Sequence, residues 1–311
     1  MEQFREYSPE DIILSNLDES SIRQSRLHEQ ELAHLSELAR EIIESQSDTD
    51  TLLAALPDFR FTEASAVTDS SAVLLQTVTQ SRVTQRNLLL CQELCHRLGR
   101  DRVMKILRRY VEAELPKGIG DGRIAYQKSA FSDSAFLRFS SLLNAPRATY
   151  THSFLSACED VCNGNCQYCI LPIENSTEGR LVSFTKLIDR FALKIIATCE
   201  IAENEGKHTQ FALLSATHES LMTNEANHFL EFSIPIDLDT PSRILQSAEL
   251  CGLTLSGIAS VPAANPSDPL LLHAVYSVSQ KALAQLPIFL LYLCMEAPQF
   301  VLLGVYPHLK S

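Results

Sequence analysis

The seven residues Pro116-Lys117-Gly118-Ile119-Gly120-Asp121-Gly122 hold one proline and three glycines. No helix or central strand sustains that composition, because proline lacks the N–H that both ladders need and ordering glycine costs the most backbone entropy. The stretch reads as a linker, and the chain differs in texture on its two sides. Over residues 1–115 apolar side chains recur at helical spacing. Leu32, Leu35, Leu38, Ile42 and Ile43 form one stripe, and Leu75, Val78, Val83, Leu90, Leu94 and Leu98 another. Strand signals are nearly absent, so a helical bundle is expected. Arg97, Arg100, Arg102, Lys105, Arg108 and Arg109 share this spacing and read as a solvated helix face.

Beyond the linker, strands and helices alternate. Ile124-Ala125-Tyr126 reads as a strand, 133–140 and 153–162 as helices, Tyr168–Leu171 as a buried strand and Leu181–Phe191 as a helix. Strands at Leu193–Thr198 and Phe211–Ser215 complete the alternation that builds an α/β sheet. From about residue 226 the order is a strand at Phe229–Ile236, a helix at 241–250, strands at 254–261 and 270–278, a helix at 280–296 and a strand at 299–305. Thr240 is the expected N-cap of the first of these helices, with Pro241 at N1. The pattern is a ferredoxin-like βαββαβ unit. The expected fold class is α+β and multidomain, divided at 1–115, 122–218 and 226–311.

A net charge of −12 argues against nucleic acid and anionic membranes as partners, since both attract cationic surfaces. The longest apolar run, Leu286–Met295, contains a proline and falls short of the ~18 residues of a membrane span. The opening residues MEQFREYSPED are acidic and carry no apolar signal core, so a cytoplasmic location is expected. There the nine cysteines should be reduced thiols. Cys158, Cys162, Cys166 and Cys169 are crowded enough for a four-thiolate site to be conceivable. Cys169, however, sits on an apolar run and reads as a small core residue, and the cluster is read as buried thiols. No metal and no cofactor is called for.

The strand ending at Leu171-Pro172 delivers Glu174, Asn175 and Ser176 to its carboxyl end, where α/β sheets place their ligands. They supply an acceptor, a donor and acceptor, and a hydroxyl. Pro172 should end the ladder by removing a donor. The plainer alternative is that these residues cap a helix beginning near Gly179.

Here the residues carry a resemblance. LPIENSTEG (Leu171–Gly179) resembles the proline-isoleucine-glutamate-asparagine-serine signature of prephenate dehydratases. IAYQKSAFSDSAF (Ile124–Phe136) resembles that family's first strand and loop, and FLSACEDVCNGNCQYC the helix and turn before the signature. Thr209-Gln210-Phe211 stands where the family carries threonine-arginine-phenylalanine, and the closing βαββαβ unit is similar to an ACT regulatory domain. AVLLQTVTQSRVTQRNLL (Ala72–Leu89), with Ser81, Arg82 and Gln85, is similar to the last helix of the chorismate mutase that precedes the dehydratase in bifunctional members.

The resemblance implies a central α/β lobe of the periplasmic-binding-protein type. It also implies Thr209, Glu174, Asn175 and Ser176 as catalytic residues, Ser132 and Phe211 as substrate-binding ones, and Asp239 and Ser260 at a regulatory site. It implies a small aromatic or dicarboxylate ligand, a homodimer and a pathway enzyme as a further partner; Leu286–Met295 is a face the dimer could bury, and burial within the chain explains the same apolar stripe equally well.

The departures from the family pattern are specific. Only eight residues separate Glu200 from Thr209, where the family inserts its whole second lobe. Gln210 replaces the motif arginine, and Gln127, Lys128, Ser129 and Ala130 replace first-loop glycines through which backbone N–H groups could approach an anion. Ala259-Ser260-Val261-Pro262 and Asp239-Thr240-Pro241-Ser242 replace the two segments that contact phenylalanine in the family. The expectation is a degenerate, non-catalytic relative acting in ligand binding or regulation. The alternatives are an active dehydratase with its missing wall supplied by another subunit or by the helical segment, and an unrelated role such as a thiol or metal function of the cysteine cluster.

Overall fold

One mixed sheet runs through most of the chain. The computed structural model describes residues 9–46, 48–62, 73–111, 122–202, 206–217, 227–236, 240–262 and 270–309. Its strands are β1 (Arg123–Gln127), β2 (Arg147–Thr151), β3 (Tyr168–Asn175), β4 (Gly179–Arg180), β5 (Lys194–Ala202), β6 (His208–Ser215), β7 (Asn227–Pro235), β8 (Thr254–Val261), β9 (Leu271–Val278) and β10 (Val301–Leu309). The helices are α1 (Pro9–Ser45), α2 (Thr49–Ala55), α3 (Val73–Val111), α4 (Ala130–Ser140), α5 (Phe154–Cys162), α6 (Val182–Arg190), α7 (Thr240–Leu250), α8 (Gln280–Leu283) and α9 (Leu286–Glu296), with a 3-10 turn at Leu56–Phe59. The order across the sheet is β2-β1-β3-β6-β5-β10-β7-β9-β8, and β4 pairs with β3.

Strands β1, β2 and β3 are parallel neighbours joined through α4 and α5, which is the expected α/β alternation. Strand β2 escaped the sequence reading because it is a largely exposed edge with little apolar content. Strand β3 does not stop at Pro172. The register slips between Pro172 and Glu174, and this bulge absorbs the missing donor and lets pairing continue to Asn175. Strands β5 and β6 are antiparallel and close as a hairpin from the Ala202–His208 pair. Residues 203–207 connect them, so no second α/β lobe is inserted there.

The last four strands follow the order β10-β7-β9-β8, all antiparallel, as a ferredoxin-like unit requires. Its expected helix over 280–296 is instead two helices, because Pro287 cannot donate within a continuous helix and sits in the first turn of α9. Thr240 is the first residue of α7 rather than the residue before it.

Strand β10 also runs parallel to β5, pairing His308 with Thr198 and Leu309 with Cys199, and this seam merges both strand groups into one sheet. Gly304 permits the approach: a Cβ there would lie 2.2 Å from the Ile195 carbonyl oxygen.

Helices α5 and α6 cover one face of the sheet and α4 the other, over the first strand group. The N-terminal helices cover the helical face of the ferredoxin-like unit. Leu35, Ile42, Leu90, Leu94 and Leu98 join one apolar cluster with Leu230, Phe232, Phe289 and Leu293. Leu75 and Val78 lie outside the described side chains, and 112–121, including most of the linker, outside the described residues.

Helix α9 is buried against α3, α7 and the 3-10 turn, so of the two readings of Leu286–Met295 it is core within the chain and not a dimer face. At its end Glu296, with a side chain 1% exposed, accepts from Asn87 Nδ2 at 2.8 Å and lies 3.3 and 3.4 Å from Arg60 and Arg243. These contacts lock the N-terminal helices to the ferredoxin-like unit.

Cys158, Cys166 and Cys169 are buried, but Cys162 is exposed at the end of α5, against the expectation that all four are core. Among the described residues no group of three or more His, Cys, Asp or Glu side chains is placed to hold a metal. No described helix is long and apolar enough to cross a membrane.

Candidate functional site

The carboxyl ends of β1, β2 and β3 share one edge, and α4 and α5 begin there. Both helices cap themselves. Ser129 Oγ accepts from the Ser132 N–H at 3.0 Å and lies 2.9 Å from Ser132 Oγ. Ser153 and Ser156 repeat the arrangement at 3.1 and 2.9 Å. One N–H of each helix start, that of Ser132 and that of Ser156, therefore already meets one of the chain's own hydroxyls. Ser132 and Phe211, the expected substrate contacts, are both buried. Phe211 packs with Tyr126, Phe139 and Ile201.

The four expected catalytic residues do not converge. Asn175 Oδ1 accepts from the N–H groups of Thr177 at 3.0 Å and Glu178 at 2.6 Å, forming the turn between β3 and β4. Ser176 is bonded twice to His208: its N–H donates to the His208 carbonyl at 3.0 Å, and its Oγ accepts from the His208 N–H at 3.1 Å. This ties the end of β3 to the β5–β6 hairpin. Thr209 pairs with Asn175 and is buried, whereas Glu174 pairs with Gln210, so alternation along the strands sends it to the opposite face. Helix α6 has no side-chain cap, so Glu174–Ser176 do not cap it and the turn takes them instead. Asp239 lies outside the described residues, and Ser260 is exposed on β8.

The described face that Glu174 shares carries a buried charged network. Glu231 of β7 is fully buried, pairs with Arg180 of β4 and accepts from Tyr306 Oη of β10 at 2.7 Å. His273 of β9 is 2% exposed; its Nδ1 lies 4.0 Å from Glu231 and its Nε2 3.6 Å from Asp189 of α6. Burial alone would drive the Glu231 carboxyl pKa up, but Arg180, His273 and Tyr306 outweigh it and hold the value at about 2. Burial likewise opposes charge on His273, and Asp189 and Glu231 outweigh it and raise the imidazole pKa. Burial and the adjacent Glu231 push the Tyr306 phenol far up.

An open pocket of about 150 Å³ lies beside this network, lined by Glu174, Arg180, Gly257, Ile258, Ala259, His273 and Val275. One wall is the β3–β4 hairpin and the other is β8 with β9. Each wall has a register shift at the pocket, between Pro172 and Glu174 and between Leu255 and Gly257. Arg180 Nε and both ring nitrogens of His273 are buried without hydrogen-bond partners.

Sequence reasoning nominated Glu174 but missed Arg180, Asp189, Glu231 and His273. A usable signal was present: Glu231 stands in Phe229-Leu230-Glu231-Phe232 and His273 in Leu271-Leu272-His273-Ala274. A lone ionisable residue inside an apolar strand calls for a buried partner.

Ser81, Arg82 and Gln85, on which the mutase resemblance rests, lie on α3. Ser81 Oγ accepts from Gln246 Nε2 of α7 at 2.7 Å, and Arg82 and Gln85 are exposed.

Residues 124–202 match the family model described as prephenate dehydratase. The prephenate dehydratase of Streptococcus mutans superposes with a TM-score of 0.50 at 17% identity, over 60% of this chain and 98% of that one. The Arthrobacter aurescens prephenate dehydratase, in complex with L-Phe, gives 0.48 at 15% identity over 60% and 89%. A protein described as a novel type of quorum-quenching acylase gives 0.44 at 18% over 60% and 96%. The first likeness shows the fold, and the other two are too loose to argue from. No curated protein matches the sequence.

Proposed function

We propose that this chain, which belongs to the prephenate dehydratase family through residues 124–202, is a non-catalytic relative that binds a small ligand or regulates. The observation that carries the reading is the end of β3. Asn175 is spent on a turn and Ser176 on the β5–β6 hairpin, whose short connection stands where the resemblance implies a second lobe. Losing carbon dioxide and hydroxide from a dicarboxylate requires fixed donors for the anionic groups and an acid for the leaving hydroxyl. Gln210 brings no positive charge, and at the nearby helix N-termini Ser129 and Ser153 each take up one N–H.

The same proposal reads 1–115 as mutase-like helices, 122–218 as a truncated dehydratase lobe and 226–311 as an ACT-like regulatory unit. It makes the protein a cytoplasmic homodimer, associating through a surface other than α9, with a pathway enzyme as a further partner. The alternative, an active dehydratase whose cleft is completed by another subunit or by the helical segment, has one support: Thr209 and Asn175 remain opposite each other.

Thermal melting with prephenate, chorismate and phenylpyruvate tests the reading, since a ligand of the folded state raises Tm by mass action. A flat response is expected. A dose-dependent rise with prephenate that Thr209→Ala removes would return the β3 edge to use as a binding site, and prephenate turnover in that preparation would overturn the reading.

A further inference from the structure

We propose that Cys158, Cys162 and Cys169 form a reversible oxidation site for hydroperoxides, in which the exposed Cys162 takes up the oxidant and passes it inward to leave a Cys158–Cys169 disulfide. The inference goes beyond the non-catalytic reading and does not depend on it, since Cys169 lies at the opposite end of β3 from Glu174 and Asn175.

Three observations carry it. The sulfurs come from adjoining elements: Cys158 and Cys162 stand on consecutive turns of α5, and Cys169 of β3 shares an apolar cluster with Cys158. Helical spacing puts side chains four residues apart about 5–6 Å from each other. The Cys158 and Cys169 thiols hydrogen-bond to each other, so these two already meet. Access is graded. Cys162 is exposed at the last residue of α5, its S–H donating to the Phe191 carbonyl at 3.7 Å, while Cys158 and Cys169 are buried. An oxidant therefore meets Cys162 first. The inner pair is also unequal. The S–H of Cys169 donates, which lowers the Cys158 thiol pKa and holds the proton on Cys169. Burial instead pushes Cys91, Cys95, Cys199 and Cys251 up, which leaves those thiols inert. Cys166 is engaged with Thr149 of β2.

The steps balance. The Cys162 thiolate attacks the peroxide O–O bond, giving a sulfenic acid and water. The Cys158 thiolate then displaces hydroxide from that sulfur, and the hydroxide takes up the Cys158 proton as a second water. Cys169 attacks Cys158, and Cys162 leaves with the Cys169 proton. Two thiols have become one disulfide, and hydrogen peroxide has been reduced to water.

The test is peptide mapping of the reduced full chain after hydrogen peroxide, with the remaining free thiols blocked by N-ethylmaleimide. Cleavage after Glu159 and after Tyr168 separates Cys158, the peptide holding Cys162 and Cys166, and Cys169, so each linkage is read directly. A Cys158–Cys169 crosslink that dithiothreitol removes is expected. Cys162→Ser should slow its appearance about tenfold or more. Cys169→Ser should stop the relay at a Cys158–Cys162 crosslink. Cys162 is exposed, so Cys162→Ser should fold as the parent does, which its melting curve checks. The buried Cys169→Ser has a check that needs no core substitution: dimedone added to the parent chain at short times should label Cys162 before any other thiol. A crosslink that forms equally fast in Cys162→Ser, or dimedone that labels Cys158 first, would overturn Cys162 as the point of entry. A natively melting chain that stays free of the Cys158–Cys169 crosslink in millimolar peroxide would overturn the site.

Discussion

His273 on β9 and Asp189 on α6 stand 3.6 Å apart, imidazole to carboxylate, across the seam between the ferredoxin-like strands and the dehydratase-family lobe. Glu231 faces the same ring from β7, and Arg180, Lys194 and Tyr306 complete the charged surroundings from β4, β5 and β10. The pKa of His273 is raised above 6.5 against the effect of burial, so the folded state holds this proton more tightly than the unfolded one. The resulting stability is fully present below about pH 6.5 and is lost as pH rises through the higher folded value. Glu231, held at about 2, works in the opposite direction: its contribution is present above about 4.5 and fades as pH falls toward 2. Urea midpoints should therefore be highest between roughly pH 4.5 and 6.5. His273→Gln should flatten the alkaline decline.

Glu231→Gln removes the counter-charge of a guanidinium whose side chain is 13% exposed. Breaking a buried pair from one side costs about 3–5 kcal/mol. Urea unfolding should show a loss of that size, and a loss under 1 kcal/mol would mean that Arg180 reaches water.

Gly304→Ala should destabilise by about 1–3 kcal/mol, the usual cost of overpacking, because the new Cβ meets the Ile195 backbone. Hydrogen exchange should locate the loosening at the β5–β10 seam. Unchanged protection there would count against this seam as the join within the sheet.

Asn175→Ala should act on stability, at about 0.5–1.5 kcal/mol for the lost turn bonds. A variant that melts like the parent would show that the turn does not depend on this side chain.

The fold was legible wherever burial imposes a period. The ferredoxin-like strands and the α4, α5 and α6 helices follow their apolar patterns closely. The misses have local causes. Strand β2 is too exposed to carry an apolar signal, Pro172 is accommodated by a bulge, and Pro287 splits a helix that hydropathy runs together. The candidate site was less legible because its members come from β3, β4, α6, β7 and β9, so no short motif contains them. Glu174 was visible in the signature, but its separation from Asn175 by strand alternation and its company with His273 depend on tertiary pairing.

The central claim is that the lobe no longer catalyses. The most direct measurement is phenylpyruvate formation from prephenate by the purified full chain, followed by absorbance at saturating substrate beside an active dehydratase. No rate above the uncatalysed reaction is expected, for this chain and for Thr209→Ala alike. Turnover that is abolished by Thr209→Ala would contradict the claim and would mean that another subunit or the helical segment completes the cleft.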